Sequence, residues 1–365
     1  MSEWPLNLVD LEAAAAERLT QNAYDYYRSG AGDEITLARN QSAFDEILLL
    51  PHVLCDVSDI SLETTLLGSE VAMPVAVAPT AFHGMADPEA EVASATGAAG
   101  AGALFCLSTL SNTTLETVAE QAPPSPRWFQ LYAFKDRGLT TELARRAEAA
   151  GYGAIVLTVD APVLGRRERD VRNSFSLPEP LTVASVAGRG AVEGKGESGL
   201  AAYFEAQLDP SLSWSDVEWL VGVSGLPVVV KGVHRADDAL RAVDSGAAAV
   251  LVSNHGARQL DTAPATIEML PAISEAIAGQ VEVFVDGGFR RGTDVLKALC
   301  LGARGVLLGR PILWGLSLAG AEGVGRVLAT IERELREAMA LCGAATPEQL
   351  SKELIMPPHH GRGSL

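Results

Sequence analysis

The sequence predicts an α/β fold, specifically a TIM (β/α)8 barrel. From about residue 70, eight short apolar runs rich in β-formers alternate with alanine-rich stretches whose apolar residues recur at helical spacing. Strand–helix alternation indicates parallel β/α units, and eight of them favour a closed barrel over an open doubly wound sheet. The chain has 365 residues, 48% of them hydrophobic, which suits one such domain with insertions.

The elements follow in order along the chain. Strands are expected at 75–79, 103–108, 128–132, 154–160, 228–232, 250–254, 283–287 and 306–309, and helices at 139–150, 236–245 and 293–301. A single domain over 1–365 would comprise an N-terminal helical cap (1–70), the barrel (71–315), and C-terminal helices with a tail (316–365). The fourth strand precedes a long segment rich in Gly, Ala, Ser and Glu, residues 178–213, which is predicted to be a mobile lid on the active-site face.

Composition restricts the partners of the chain. The net charge of −18 disfavours nucleic acid, because phosphate backbones require a basic surface. The N-terminus lacks the basic and apolar regions of a signal peptide, and no apolar run reaches the roughly 20 residues that span a bilayer. The four cysteines form no C-x-x-C pair, which favours reduced thiols over a metal site. We therefore predict a cytoplasmic protein with no membrane association and no bound metal.

The ends of the predicted strands carry the residues suited to chemistry. In barrel enzymes the C-terminal strand ends form the active-site face. The heptad Ser253-Asn254-His255-Gly256-Ala257-Arg258-Gln259 follows the sixth strand and places an imidazole three residues from a guanidinium. A base and a cation that holds a carboxylate are what oxidation of a 2-hydroxy acid requires. Asp160, at the end of strand four, is expected to raise the pKa of His255 and to fix its tautomer.

The loops after strands seven and eight resemble a phosphate site. Barrels often bind phosphate there, because glycines let backbone N–H groups approach an anion and arginines add charge. The residues concerned are Gly287, Gly288, Arg290, Gly309 and Arg310. Lys231 ends the fifth strand, and at the barrel mouth a cofactor contact is favoured over a solvent-facing lysine. Its ammonium suits a contact with negative charge on a cofactor.

These motifs together resemble the FMN-dependent 2-hydroxy acid oxidase and dehydrogenase family, which includes glycolate oxidase, lactate oxidase, mandelate dehydrogenase and hydroxymandelate oxidase. The resemblance runs from about Tyr24 to about Arg310. Its most specific pieces are Tyr24-Asp25-Tyr26-Tyr27, Ala78-Pro79-Thr80-Ala81, Phe129-Gln130-Leu131-Tyr132, Thr158-Val159-Asp160, Leu164-Gly165-Arg166-Arg167, Lys231-Gly232, the heptad, Asp286-Gly287-Gly288 and Gly309-Arg310.

The resemblance implies a role for each matching residue. His255 would be the base, paired with Asp160, and Tyr132 would hydrogen-bond the substrate hydroxyl. The substrate carboxylate would bind Arg258, Arg167 and Tyr24. The cofactor would be FMN. Lys231 would lie at the flavin N1–O2 edge, and the other cofactor-binding residues would be Pro79, Thr80, Ala81, Ser108, Gln130, Thr158, Ser253, Asp286, Gly287, Gly288, Arg290, Gly309 and Arg310.

Two positions bear on the substrate and the electron acceptor. Leu110 stands where the glycolate oxidase type carries a bulky aromatic residue, which favours an L-2-hydroxy acid with a medium to large, mandelate-like side chain unless Leu110 faces the core. Ala81 and the polar segment 178–213 favour an (S)-2-hydroxy-acid oxidase that reduces O2 to H2O2 over a dehydrogenase that uses a quinone. The resemblance also implies a homotetramer.

Two other functions would suit parts of this sequence. An FMN-dependent isomerase on the same barrel would bind flavin without net redox change, but the arginine pair Arg258 and Arg167 argues for a carboxylate substrate. A non-catalytic phosphate-binding barrel would have no need of Asp160, His255 and Tyr132 together.

Overall fold

A computed structural model describes residues 4–186 and 206–357. Eight parallel strands form a closed barrel in which each strand pairs with the next and the last pairs with the first. They are β3 (Val75–Val77), β4 (Phe105–Leu107), β5 (Arg127–Leu131), β6 (Ala154–Thr158), β7 (Val228–Val233), β8 (Ala249–Val252), β9 (Glu282–Asp286) and β10 (Gly305–Leu308). The predicted TIM barrel is confirmed, and the strand ends shift by one or two residues where the chain leaves the ladder.

The N-terminal residues cover both ends of the barrel. Three helices, α1 (Leu8–Arg18), α2 (Gln21–Arg28) and α3 (Ile35–Asp45), precede a hairpin of β1 (Thr64–Leu66) and β2 (Ser69–Val71). Asn7 and Thr20 accept backbone N–H groups in the first turns of α1 and α2, which satisfies donors that a helix start leaves open. The hairpin contributes Leu66 and Val71 to the apolar interior of the barrel. The predicted cap is therefore helices plus a hairpin that closes the N-terminal end.

Helices surround the barrel. They are α4 (Ala90–Gly100), α5 (Leu115–Gln121), α6 (Arg137–Ala149), α7 (Glu168–Arg172), α8 (Trp214–Val223), α9 (Ala236–Asp244), α10 (Thr266–Ile277), α11 (Gly292–Cys300) and α12 (Arg310–Cys342). Short 3-10 turns lie at His83–Met85, Ala184–Val186, Pro347–Gln349 and Lys352–Leu354. The helices predicted at 139–150, 236–245 and 293–301 correspond to α6, α9 and α11.

The helix α12 crosses the predicted boundary between residues 315 and 316. It begins directly after β10 and runs to Cys342, with a break at Ala319 and Gly320, whose backbone angles are not helical. Among the described residues it is the one helix long and apolar enough to cross a membrane by length and composition alone. More than half of its apolar window, 56%, is buried inside the protein, as expected of a core helix.

The predicted lid lies partly within the described residues. At its start the backbone N–H of Ala184 donates to the carbonyl of Ser111, 2.9 Å away. Near its end Leu208 forms an antiparallel bridge with Phe134. Residues 187–205 lie outside the described residues, so the lid stays a prediction.

Candidate active site

A cavity of about 1030 Å³, its mouth included, opens at the C-terminal ends of the barrel strands. The side chains that line it come from the strand ends and from α2. Most of the predicted site residues are among them, namely Pro79, Thr80, Ala81, Ser108, Gln130, Tyr132, Thr158, Arg167, Lys231, His255, Arg258, Asp286, Gly287, Gly288, Arg290, Gly309 and Arg310. Residues that are far apart in sequence therefore meet in one place.

An imidazole and a carboxylate form the centre of the site. His255 Nδ1 lies 2.9 Å from Asp160 Oδ1. Asp160 does not line the cavity but stands behind the ring. Because an ionised carboxylate accepts hydrogen bonds, Nδ1 carries the proton and Nε2 is left as a base. His255 has a left-handed backbone, φ +57°, and its N–H donates to the Ser253 hydroxyl 3.1 Å away, which fixes the direction of the ring.

The environment sets the charge of this pair. Burial lowers the pKa of His255, Asp160 raises it, and Lys231 and Arg167 lower it again, so the net shift is downward from 6.5. Asp160 thus raises the pKa of His255, in the direction expected from the sequence, but burial outweighs the carboxylate and makes the net shift downward. Burial raises the pKa of Asp160, but His255 and Lys231 lower it to below its ordinary value. The pair therefore holds a neutral imidazole next to an ionised carboxylate at neutral pH.

Two arginines provide a binding place for a carboxylate. Arg258 Nη1 donates to the carbonyls of Tyr26 (2.5 Å) and Ser29 (3.1 Å), and its guanidinium lies 4.8 Å from the ring centroid of Tyr26. Arg167 Nε donates to the carbonyl of Arg258 at 3.3 Å. Burial lowers the pKa of Arg167 to about 10, and the neighbouring charge of Arg258 adds to this shift. Since these partners are neutral carbonyls, the positive charge remains available to an anion in the cavity.

The structure does not bring Tyr24 to the cavity. Its ring packs 5.5 Å from that of Trp314, and its hydroxyl lies 3.5 Å from the carboxylate of Glu12. Tyr26 lines the cavity instead, together with Tyr27. Residues two apart on a helix point about 200° apart, so only one of Tyr24 and Tyr26 can face the barrel. Tyr26 is therefore the tyrosine placed beside the arginines.

Ser253 supports a lysine and does not line the cavity. Its hydroxyl lies 2.8 Å from Lys231 Nζ, and the residue is fully buried. Lys231 Nζ is also 3.4 Å from Asp286 Oδ2. Burial lowers the pKa of Lys231, but Asp286 and Asp160 raise it above its ordinary value, so the ammonium stays charged. The hydroxyl of Ser253 therefore positions Lys231, and its predicted contact with the cofactor stays a prediction.

A row of neutral polar groups lies next to this lysine. Gln130 Nε2 donates to the Thr158 hydroxyl at 3.0 Å, and the Ser108 hydroxyl donates to Gln130 Oε1 at 3.2 Å. These three side chains stand at the ends of adjacent strands and line the cavity. They offer donors and acceptors of the kind that match the polar edge of a flavin ring.

The far end of the cavity is positively charged. Arg310, the first residue of α12, donates to the carbonyls of Tyr27, Ser29 and Gly256, each at 2.9 Å. No side chain caps the start of α12, so its free N–H groups add to the positive end of the helix. Burial lowers the pKa of Arg310 well below its ordinary value, and it also lowers that of Arg290. An anion bound here would relieve the cost of burying both cations.

The glycines at this end serve two purposes. A Cβ atom added to Gly309 would meet Thr80 at 3.5 Å, an ordinary contact, so this glycine leaves room within the cavity. Gly288 differs, because its φ is +87° and an added Cβ would lie 1.8 Å from the carbonyl oxygen of Asn40. The close approach of α3 therefore requires a glycine at this position, and the predicted approach of an anion to Gly288 stays a prediction.

The residues present fit FMN. Asp286 Oδ1 is buried and has no hydrogen-bond partner among the described residues. It can therefore accept a hydrogen bond from a ribityl hydroxyl group. Lys231 suits the electron-accepting edge of the ring, and Arg290 and Arg310 suit the phosphate. Within residues 4–186 and 206–357 no group of three His, Cys, Asp or Glu side chains could hold a metal ion.

Sequence reasoning missed some residues of the site. The Tyr-Asp-Tyr-Tyr motif indicates that a tyrosine of α2 faces the site. It does not show how the helix is rotated about its axis, and that rotation places Tyr26 in the cavity. Asn40 exchanges two side-chain amide hydrogen bonds with Asn254, at 3.0 and 2.8 Å, which ties α3 to the His255 loop. The two asparagines are 214 residues apart, and nothing in the sequence connects them.

Comparisons with known proteins agree with this site. The model of the FMN-dependent dehydrogenase family matches residues 15–357. The chain is 51% identical to an L-lactate oxidase from Nostoc sp. (strain PCC 7120 / SAG 25.82 / UTEX 2576), covering 96% of this chain and 98% of the relative. It is 49% identical to glycolate oxidase 1 from Zea mays, covering 96% and 95%.

A solved structure gives the same result. The crystal structure of a mandelate oxidase with (S)-4-hydroxymandelic acid superposes with a TM-score of 0.92 and 42% identity, covering 96% of this chain and 98% of that one. The family match extends over nearly the whole chain, and one cavity is lined by His255, by the arginines Arg167 and Arg258, and by Arg290 and Arg310. The chain therefore belongs to the FMN-dependent dehydrogenase family and is an FMN-dependent 2-hydroxy acid oxidase.

Proposed function

We propose that this enzyme oxidises an L-2-hydroxy acid with a medium to large, mandelate-like side chain to the 2-oxo acid and transfers the electrons to O2, which gives H2O2. One observation carries the proposal: the His255–Asp160 pair shares a cavity with two arginines whose charge is not neutralised by the carbonyls they contact. FMN supplies the acceptor for the two electrons that leave the substrate Cα.

The side chains divide the work between them. Arg258 and Arg167 bind the substrate carboxylate, and Tyr26 completes this end of the cavity. Tyr132 contacts the substrate hydroxyl. Nε2 of His255 accepts the proton that the substrate loses, and Asp160 stabilises the imidazolium that results. Burial supports this role because it keeps the imidazole unprotonated before the reaction.

The size of the substrate is argued from Leu110. This side chain lines the cavity and is 4% exposed, so it faces the substrate space as well as the core. A leucine there leaves more room than a tryptophan. Replacing it, Leu110→Trp, should lower kcat/KM for (S)-mandelate by about 10-fold or more while changing that for L-lactate less. An equal loss for both substrates would contradict the assignment.

Anaerobic reduction followed by air tests the reaction itself. The holoenzyme is mixed without oxygen with glycolate, L-lactate, D-lactate, (S)-mandelate or (R)-mandelate, and flavin absorbance is followed. The proposal expects the fastest bleaching with (S)-mandelate, and on admitting air one H2O2 for each 2-oxo acid formed. Faster bleaching with glycolate or L-lactate would refute the substrate size. If the flavin absorbance recovers slowly in air but rapidly with a soluble quinone, the enzyme is a dehydrogenase. If no substrate bleaches the flavin, the proposed function is wrong.

The oligomeric state and location are also proposals. The segment after α3 exposes four apolar side chains, Leu48, Leu50, Val53 and Leu54, of which Leu54 is completely exposed. Such a cluster supports association between copies of the chain, and we propose the homotetramer that the family resemblance implies. Light scattering of the holoenzyme should give four times the mass of the chain, and a monomer would contradict it. A cytoplasmic location stays a prediction from the sequence.

A further inference from the structure

An ion network on the N-terminal helices ends at the phosphate end of the cavity. Its centre is the carboxylate of Glu12 on α1. This group lies 3.4 Å from Arg28 Nε, 3.5 Å from the Tyr24 hydroxyl and 3.8 Å from Arg290 Nη2. Arg28 in turn pairs with Glu34 at 3.1 Å. The carboxylate is therefore held in place from two sides while it faces a guanidinium of the cavity.

The two arginines at this end have few other sources of negative charge. Asp294 is close to Arg290, but its carboxylate accepts the backbone N–H groups of Arg290 and Arg291, each at 2.9 Å, as a helix cap. The guanidinium of Arg310 donates its hydrogen bonds to the backbone carbonyls of Tyr27, Ser29 and Gly256. Burial lowers the pKa of both arginines, and Glu12 is the largest influence that opposes it in each. The negative charge of Glu12 thus acts on both arginines of this end of the cavity, Arg290 and Arg310.

We propose that Glu12 is the resident counter-ion of the phosphate site. In the cofactor-free protein it compensates Arg290. When FMN binds, its phosphate shares that guanidinium with Glu12, and the two negative groups repel each other. Glu12 thereby stabilises the apoprotein and lowers its affinity for FMN. Tyr24 then serves this network, since its hydroxyl contacts the same carboxylate. The proposal depends on FMN as cofactor and not on which hydroxy acid is oxidised.

Comparing two flavins isolates the phosphate. Riboflavin has the same ring and ribityl chain as FMN but lacks the phosphate group. The dissociation constants of both flavins are measured by fluorescence with the apoproteins of the wild type, Glu12→Gln and the control Glu17→Gln, which changes an exposed residue of the same helix. Glu12→Gln should bind FMN about 3- to 10-fold more tightly, with riboflavin unchanged within about twofold. Glu17→Gln should change neither affinity.

Several results would overturn the proposal. Weaker or unchanged binding of FMN by Glu12→Gln would mean that Glu12 orients Arg290 for the phosphate or has no influence on it. An equal change for both flavins would mean a general effect on the fold. If the apoprotein of this variant does not fold, release of FMN from the diluted holoenzyme replaces the affinity measurement. Release should be slower than from the wild type, and release at the same or a higher rate would refute the counter-ion role.

Discussion

The two ends of the barrel are built from opposite kinds of residue. At the N-terminal end, the hairpin residues Leu66 and Val71 join an apolar cluster that includes Trp128 and Phe284, whose rings pack 5.2 Å apart. At the C-terminal end, a half-buried imidazole, charged arginines and a buried lysine surround the cavity. The first end gains stability from burial of apolar surface. The second holds buried charges, which cost free energy in the absence of a ligand.

Because of this difference, the residues that determine stability and those that determine activity lie at opposite ends of the barrel axis. A substitution at the N-terminal end should change the free energy of unfolding and leave the kinetics nearly intact. A substitution at the C-terminal end should do the reverse. Four predictions test the separation, from the largest expected effect to the smallest.

Removing the base should have the largest effect. His255→Ala is expected to lower the rate of flavin reduction by the substrate by roughly 10²- to 10⁴-fold, the usual contribution of a general base. FMN should stay bound, because the imidazole contacts Asp160 and not the phosphate end. Stopped-flow absorbance measures the rate, and the flavin spectrum and circular dichroism are the controls. Near-normal reduction would show that His255 is not the base.

Removing the largest side chain at the opposite end should act on stability. Trp128 is 1% exposed, so Trp128→Ala should lower the free energy of unfolding by about 3–5 kcal/mol. Chemical denaturation of the holoenzyme measures this loss. KM and kcat of the surviving folded enzyme should stay within about twofold of the wild type. A kinetic defect as large as that of His255→Ala would break the separation between the two ends.

The pH profile sharpens the account of the His255–Asp160 pair. Because burial lowers the pKa of His255, kcat/KM should rise with pH through an acid limb below 6.5 and be level at neutral pH. Asp160 raises that pKa, so Asp160→Asn should move the limb to lower pH and lower the plateau by about 10- to 100-fold. A limb that moves to higher pH would contradict the influence assigned to Asp160.

The smallest effect distinguishes two neighbouring tyrosines. Tyr26→Phe removes a hydroxyl from a residue that lines the cavity and should raise the substrate KM by about 3- to 10-fold. Tyr24→Phe is the matched control on the other side of α2 and should leave KM unchanged within about twofold. Steady-state kinetics with one substrate measures both. If Tyr24→Phe had the larger effect, the placement of the two rings would be wrong.

The sequence predicted the fold, and most of the predicted site residues line one cavity, for a simple physical reason. Buried parallel strands are apolar runs, and the C-terminal ends of such strands converge, so the polar residues that follow each run had to meet. Tyr24 was misplaced because helix rotation depends on tertiary packing. Ser253 and Gly288 follow strands as expected, but what each contacts depends on chain segments distant in sequence. The lowered pKa of His255 depends on its burial, which no local pattern reports.

The backbone of the loop that carries His255 bears on how the enzyme could be made more stable. Three successive residues, His255, Gly256 and Ala257, have left-handed backbones, a conformation that costs free energy for the two that are not glycine. Directed evolution that selects for heat resistance alone would therefore favour glycine at position 255 and discard the imidazole. Thermostable descendants of this enzyme should be sought with turnover as a second criterion at every round.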